Sequence, residues 1–422
     1  MTLPPILSLS WRSLFNRRGT AALAVFSIAV SVLLLMGVEK VRTGARASFA
    51  NTISGTDLIV GARTGSTQLL LYSVFRIGNA TNNISWQSYQ ELAARPEVAW
   101  TIPLSLGDAH RGFRVLGTTQ DYFRHYRFGR KRPLTFAAGR PFEDLFDAVL
   151  GADVARELGY DLGSSLVITH GLGAAGFMPH DDKPFRVAGI LAKTGTPVDR
   201  TVHVSLEAIE AIHIDWQGGA LVPGRRISAE EVRRLPLQPK TVTAVLVGLE
   251  SRLGAFALQR AVNQSRREPM MAILPGVALQ ELWDLMGTAE AALGAISLFV
   301  VLSGLLGMAT MLLSGLNERR REMAILRALG ARPWQIFAML ISEAAVLTTA
   351  GTALGMAGLY GLLLVARPLI EDSYGLYLPI VAPTAYDFLL LACVLLAGVA
   401  AGALPAVKAY RQSLADGMMI QT

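Results

Sequence analysis

Cysteine is nearly absent. Cys393 is the single one among 422 residues, which excludes an intramolecular disulfide and any cysteine-built zinc site or iron–sulfur cluster. Charge is scarce as well. Asp, Glu, Lys and Arg make up 17% of the chain, against about a quarter in an ordinary soluble domain, while hydrophobic residues reach 52%. Local catalytic signatures are missing too. There is no G-x-x-x-x-G-K-[ST] phosphate loop, no G-x-S-x-G elbow and no H-E-x-x-H pair, so nucleotide hydrolysis, serine hydrolysis and zinc-peptidase chemistry find no scaffold in these residues.

The missing charge is concentrated in four runs. Residues 20–38, 291–316, 344–366 and 388–407 contain no Asp, Glu, Lys, Arg or His. A hydrocarbon core about 30 Å thick needs roughly 20 helical residues, so each run is long enough to cross it. The first is too long for the apolar part of a signal peptide and ends in Val38-Glu39-Lys40 without a small-residue cleavage pattern, which predicts an uncleaved anchor. The spans carry no central ionisable group, the usual mark of an ion-coupled carrier. A secondary transporter or channel is therefore disfavoured.

Orientation follows from the short flanks. Residues 1–19, 317–343 and 408–422 together have a net charge of +6, residues 367–387 have −2, and the long segment 39–290 has +3, which recovers the formal +7 of the chain. The basic flanks predict both termini inside and the long segment outside. Positive charge is thus chiefly a topological anchor. The basic and aromatic stretch 122–132 (YFRHYRFGRKR) falls in the outer segment, where nucleic acid is not expected.

The expected organisation is an integral membrane α-helical protein. It has a cytoplasmic entry helix over 1–18, four transmembrane helices over 19–38, 291–316, 344–366 and 388–407, and a large mixed α/β extracytoplasmic domain over 39–290, between helices 1 and 2. A cytoplasmic loop covers 317–343, an outer loop 367–387 and a cytoplasmic tail 408–422. Short β-rich stretches at 57–60, 114–116, 148–150, 166–169, 185–188, 202–204 and 241–247 alternate with helical patterns at 85–94, 152–158, 205–213 and 255–264. Ser85 and Ser205 are the expected N-caps. Residues 39–50 and 279–290 extend the first two spans as polar helices, a two-legged stalk. Gly351 and Gly355, then Gly398 and Gly402, stand four apart, the spacing that lets helix backbones approach closely in lipid.

The inner loop has the most distinctive pattern: Glu318, Arg319, Arg320, Arg321, Glu322, Met323, Ala324, Ile325, Leu326, Arg327, Ala328, Leu329, Gly330. Met323, Leu326 and Leu329, with Ile325 beside them, give an apolar stripe; Gly330 is a natural helix stop and Pro333 a natural start. This loop resembles that of the FtsX/MacB-like permease family, whose members pair with an ABC ATPase. The likeness extends to the basic entry at 9–18, to the order of one span, a large outer domain and three spans, and to VLGT at 115–118, DYF at 121–123, GRPF at 139–142, VLG at 149–151 and FRVAGIL at 185–191.

The resemblance implies a dimeric, non-catalytic permease subunit in the bacterial inner membrane with a periplasmic core domain. A cytoplasmic ATPase dimer on a separate subunit would bind ATP and Mg and push the helix at 318–330; this chain would hold no cofactor. Glu343 is expected to orient an inner-loop arginine. A periplasmic or outer-membrane partner is also implied, and the cargo is left open. The readings are efflux or release of an envelope molecule, FtsX-like regulation of a periplasmic enzyme, metal uptake or lipoprotein trafficking, and an anchored binding protein without an ATPase. All six histidines lie in the outer segment. No metal site is expected there, and His180, Asp182, His213 and Asp215 are the candidates should one exist.

Overall fold

The computed structural model describes residues 17–170, 177–217, 220–221, 227–318, 320–328, 330–374 and 382–411. The chain divides into two units, one made of residues 1–44, 287–369 and 379–422, the other of residues 45–286 and 370–378. The entry helix predicted within 1–18 and the tail beyond 411 lie outside the described residues, apart from Arg17 and Arg18.

The first unit is helical. It is built from α1 (Arg18–Thr52), α7 (Pro275–Glu318), α8 (Arg320–Ala328), α9 (Pro333–Tyr374) and α10 (Ala385–Arg411), of which residues 45–52, 275–286 and 370–374 belong to the second unit. α1, α7, α9 and α10 contain the four uncharged runs, and each is long and apolar enough to cross a membrane. They run further than the uncharged stretches because amphipathic turns continue them: α1 reaches Thr52 and α7 begins at Pro275, both without a break. Pro275 serves as helix start, where its missing N–H costs nothing.

Packing in this unit depends on small residues. A Cβ added at Gly351 would stand 2.7 Å from the Ile28 side chain, and one at Gly355 would stand 2.6 Å from the Ala29 carbonyl oxygen. α9 therefore lies backbone to backbone on α1. A Cβ added at Gly398 would likewise stand 2.3 Å from the Thr348 hydroxyl and one at Gly402 2.3 Å from the Ala344 side chain, so α10 seats on α9 just as closely. Ser31 donates from Oγ to the Ser27 and Val300 carbonyls (2.8 and 3.1 Å), tying α1 to α7. Ile28, Val32, Met36, Leu305, Met308 and Leu347 fill the space between. At the polar ends Lys40 pairs with Asp387 at 2.6 Å, and Arg42 contacts Glu39 at 2.8 Å and Glu290 at 3.8 Å.

The second unit is a mixed sheet with helices. Its principal strands are β1 (Leu58–Ala62), β2 (Val98–His110), β3 (Phe113–Thr118), β4 (Phe136–Gly139), β5 (Asp147–Leu150), β6 (Thr169–His170), β7 (Phe177–Pro179), β8 (Phe185–Leu191), β9 (Thr201–Ser205), β10 (Ala244–Leu249) and β11 (Met270–Ile273). They run in the order β11-β1-β10-β2-β3-β9-β5-β8-β4, and β6 pairs with both β2 and β7. β3 with β9 and β5 with β8 are parallel; the other pairs are antiparallel. Its longer helices are α2 (Ser66–Val74), α3 (Trp86–Ala93), α4 (Ala152–Leu158), α5 (Leu206–His213) and α6 (Ala255–Asn263), with short ones at Asp121–His125 and Ala229–Val232. Ser85 and Ser205 accept from the Ser88 and Ala208 N–H groups, as N-caps should.

Several expected elements change. The longest strand, β2, was not anticipated, because Pro103 and Gly107 interrupt its alternation. The expected strand at 166–169 is two short ones, Ser165–Leu166 and Thr169–His170. The expected strand at 241–247 divides at Thr243, whose hydroxyl instead accepts from the Leu106 N–H at 3.0 Å.

The tight glycine contacts generate a test. Gly355→Val forces side-chain atoms against the Ala29 carbonyl and lowers stability by about 1–3 kcal/mol. Gly361→Ala, with open space around its Cβ position, is neutral or stabilising by up to about 1 kcal/mol through helix propensity. Thermal unfolding in detergent compares the two; equal midpoints would mean that these helices do not rely on close approach.

Candidate coupling loop and histidine cluster

α8 begins two residues after the end of α7 and is nine residues long. Met323 and Ala324 are buried, Met323 against Leu316, Ile336, Leu340, Ala406 and Ala409. Ile325 is 53% exposed, so it stands away from the buried face and not beside Met323 on one stripe as the spacing suggested. Among the remaining expected coupling residues, Arg320, Arg321, Glu322, Leu326 and Arg327 lie on α8 and Glu318 closes α7. Arg319 and Leu329 fall outside the described residues.

The turn out of α8 is built by one residue. Gly330 takes φ +97° and its N–H reaches the Arg327 carbonyl at 3.0 Å, a backbone conformation that costs a side-chain-bearing residue about 1–2 kcal/mol. α9 then opens on Pro333, and the Gln335 side chain reaches back to accept from the Arg332 N–H at 2.8 Å. Trp334 on this first turn is 53% exposed. The loop thus presents Ile325 and Trp334 outward while Met323 is locked inward. Glu343, further along α9, is buried.

In the second unit four side chains from separate segments converge. β2 carries one extra residue between Leu106 and Ala109 relative to β3, a bulge at Gly107-Asp108 of the kind that re-aims a side chain. Asp108 sits directly opposite His170 of β6. Its Oδ1 is 3.1 Å from His170 Nδ1 and 3.4 Å from His213 Nε2, and those two nitrogens are 3.1 Å apart. His213 is the last residue of α5, and its Nδ1 donates to the Ile209 carbonyl at 2.8 Å. His180 follows β7, held by its N–H to the Ile168 carbonyl at 3.0 Å, with its ring edge-on to His213. Asp108, His170, His180 and His213 each offer an atom within 4.8 Å of the others.

Electrostatics follow from that crowding. Burial pushes the Asp108 carboxyl up, but the hydrogen bonds from His170 and His213 outweigh it and bring it down to about 2. Burial lowers His213, and its bond to Asp108 more than reverses this, for a net rise. Burial, helped by the neighbouring His213, takes His180 down to about 4.

The two other expected candidates do not join. Asp182 and Asp215 turn instead to Lys183, whose buried Nζ lies 2.6 Å from one and 2.8 Å from the other. The quartet His180, Asp182, His213 and Asp215 is therefore corrected. Two of its members meet, and their carboxylate is Asp108, with His170 as a third imidazole. Sequence reading missed this because it needs the β2–β6 register and the bulge, which no local spacing announces. His110, bonded to the Val167 carbonyl (2.7 Å) and the Tyr160 hydroxyl (3.0 Å), and His203, bonded to the Val149 carbonyl (3.2 Å), stay apart from the cluster as packing residues.

Residues 21–254 match the family model of the MacB-like periplasmic core domain, and residues 294–414 match that of the FtsX-like permease C-terminal region. Over 413 residues the chain is 24% identical to the macrolide export ATP-binding/permease protein MacB of Azoarcus sp. strain BH72, covering 93% of this chain and 56% of that one. Over 124 residues it is 35% identical to the pyoverdine export ATP-binding/permease protein PvdT of Pseudomonas fluorescens strain Pf0-1, covering 29% and 18%. The chain thus spans about half the length of the first relative and less of the second. Among solved structures, the periplasmic region of MacB from Actinobacillus actinomycetemcomitans aligns with a TM-score of 0.35 at 11% identity, covering 55% of this chain and 94% of that one. The extracellular domain of the transporter YknZ from Gram-positive bacteria aligns at 0.30 and 12%, covering 52% and 99%.

His203 sets a pH dependence. Burial, with the Arg76 charge adding to it, drops its pKa from 6.5 to about 3. Between those values the unfolded chain binds a proton that the folded chain refuses, so stability falls as pH decreases from 6.5 towards 3. Urea unfolding of the full chain at pH 6.5 and 4.5 should show this loss. His203→Asn should flatten the slope by up to one proton, about 1.4 kcal/mol per pH unit. Parallel slopes in both proteins would contradict it.

Proposed function

Because the chain belongs to the FtsX/MacB-like family of ABC transporter permeases, we propose that it is the membrane subunit of an ABC machine that exports or releases an envelope molecule. A separate cytoplasmic ATPase dimer would bind ATP and Mg and close against α8 in each of two permease copies. The motion would pass along α1 and α7 to the periplasmic domain. Both termini would lie in the cytoplasm, in a bacterial inner membrane. No step of this reading asks the chain itself to hydrolyse nucleotide.

The observation that carries the reading is the construction of the α8 turn. Met323 anchors one face in the helical unit, while Ile325 and Trp334 leave apolar surface exposed on a loop otherwise rich in arginine. Exposed apolar side chains beside charged ones are what a docking helix offers to a partner groove. The lack of charge in the four runs supports force transmission over passage of cargo. Gly330 and Pro333 hold the angle between α8 and α9, so a push on α8 reaches α9 with little slack. Glu343 would orient a loop arginine from within α9. FtsX-like regulation of a periplasmic enzyme and service in metal uptake or lipoprotein trafficking use the same lever and differ in the periplasmic or outer-membrane partner.

Ile325→Asp tests the docking. Being exposed, Ile325 can be changed with little effect on folding. Co-purified ATPase and permease-stimulated ATP hydrolysis should fall at least about tenfold, the equivalent of one buried apolar anchor. Glu343→Gln should leave the complex assembled but lower the stimulated rate. An undiminished complex with Ile325→Asp would refute the assignment of α8.

A further inference from the structure

The cluster at Asp108 has the dimensions of a metal site. A tetrahedral divalent ion holds imidazole nitrogen and carboxylate oxygen at about 2.0–2.2 Å, which puts neighbouring ligand atoms roughly 3.3–3.5 Å apart. Asp108 Oδ1, His170 Nδ1 and His213 Nε2 already form a triangle with edges of 3.1, 3.1 and 3.4 Å. That is one face of such a tetrahedron. His180 offers a ligand atom within 4.8 Å of the other three, close enough to supply the fourth ligand.

The tautomer of His213 independently favours a ligand. A backbone carbonyl can only accept, so the contact to Ile209 puts a proton on Nδ1, and Nε2, which faces Asp108 and His170, is the nitrogen a metal would take by displacing the second proton. A metal-bound imidazole is normally oriented in this way, its second nitrogen donating to a carbonyl or carboxylate. The neighbouring Lys183 takes Asp182 and Asp215, so a fixed cation already meets those carboxylates. Asp108 is 4% exposed and faces imidazoles.

We propose that Asp108, His170, His180 and His213 form a binding site for a first-row divalent metal of the zinc class. Three imidazoles and one carboxylate, with no thiolate, suit zinc over softer ions. Four protein ligands leave no open position, so the ion closes structure and supplies no reactive water. It would pin β6 and the residue after β7 to the β2 bulge and to the end of α5, adding to the Lys183–Asp215 ion pair that already links the segments following β7 and α5. His170 and His213 are half-buried and give the ion its path in from solvent. This site does not depend on the ATPase reading, and either can fail alone.

The test uses the full chain purified in detergent, stripped with a chelator and titrated with zinc against a chromogenic competitor, with bound metal counted by elemental mass spectrometry. One zinc per chain is expected, with a nitrogen and oxygen shell at about 2.0–2.2 Å and no sulfur by X-ray absorption. His180→Ala and the pair His170→Ala with His213→Ala should each weaken binding at least about tenfold. Asp182→Asn, beside the cluster but committed to Lys183, should retain one zinc per chain. His170→Ala alone, on the exposed side, should also weaken binding, and it keeps the test decisive if the buried variants do not fold. A wild-type chain that holds no stoichiometric zinc, or histidine variants that bind as wild type does, would overturn the site.

Discussion

The close approach of α9 to α1 at Gly351 and Gly355 is the constraint on which the helical unit depends. In lipid, apolar side chains gain little by leaving hydrocarbon for one another, so association rests on shape and dispersion. At these positions there is no room for even a methyl group: Ile28 and the Ala29 carbonyl already occupy the space. Gly398 and Gly402 repeat the solution between α10 and α9, against Thr348 and Ala344. Within the described spans the buried hydroxyls of Ser31, Ser297 and Thr348 donate to helix carbonyls.

Such a bundle suits work done elsewhere. α1 and α7 continue past their apolar stretches as helix, and at the polar margin Arg42 bridges Glu39 and Glu290 while Lys40 pairs with Asp387. Lys40 and Asp387 are 11% and 3% exposed. A pair so desolvated adds little net stability, and its value is positional: it fixes the start of α10 relative to α1. Further along the same two helices, Phe49 packs edge-on to Trp283 and Arg46 lies over the same ring. In our account, α8 receives the push and these two continuous helices carry it.

Legibility differed between the two units for a physical reason. The spans were readable because hydrocarbon imposes one rule, about 20 uncharged residues, that needs no knowledge of neighbours. The caps at Ser85 and Ser205 and the stop at Gly330 were readable because they are local. β2 was hidden by Pro103 and Gly107, and with it went the bulge that turns Asp108 towards His170. The histidine cluster could not be read at all as a set: its members come from residues 108, 170, 180 and 213 and meet only through strand register. Of the four metal candidates named from the sequence, His180 and His213 meet, whereas Asp182 and Asp215 were attractive only because they lay nearby in the chain.

The central claim, that nucleotide in a partner moves the legs of this chain, is most directly tested by distance. In a Cys393→Ser background, a spin label at Thr288→Cys on α7 would report the separation of the two copies in the assembled complex. The account predicts that trapping ATP shifts this distance by about 5 Å or more, one helical turn, relative to the nucleotide-free complex. An identical distance distribution in both states would contradict it.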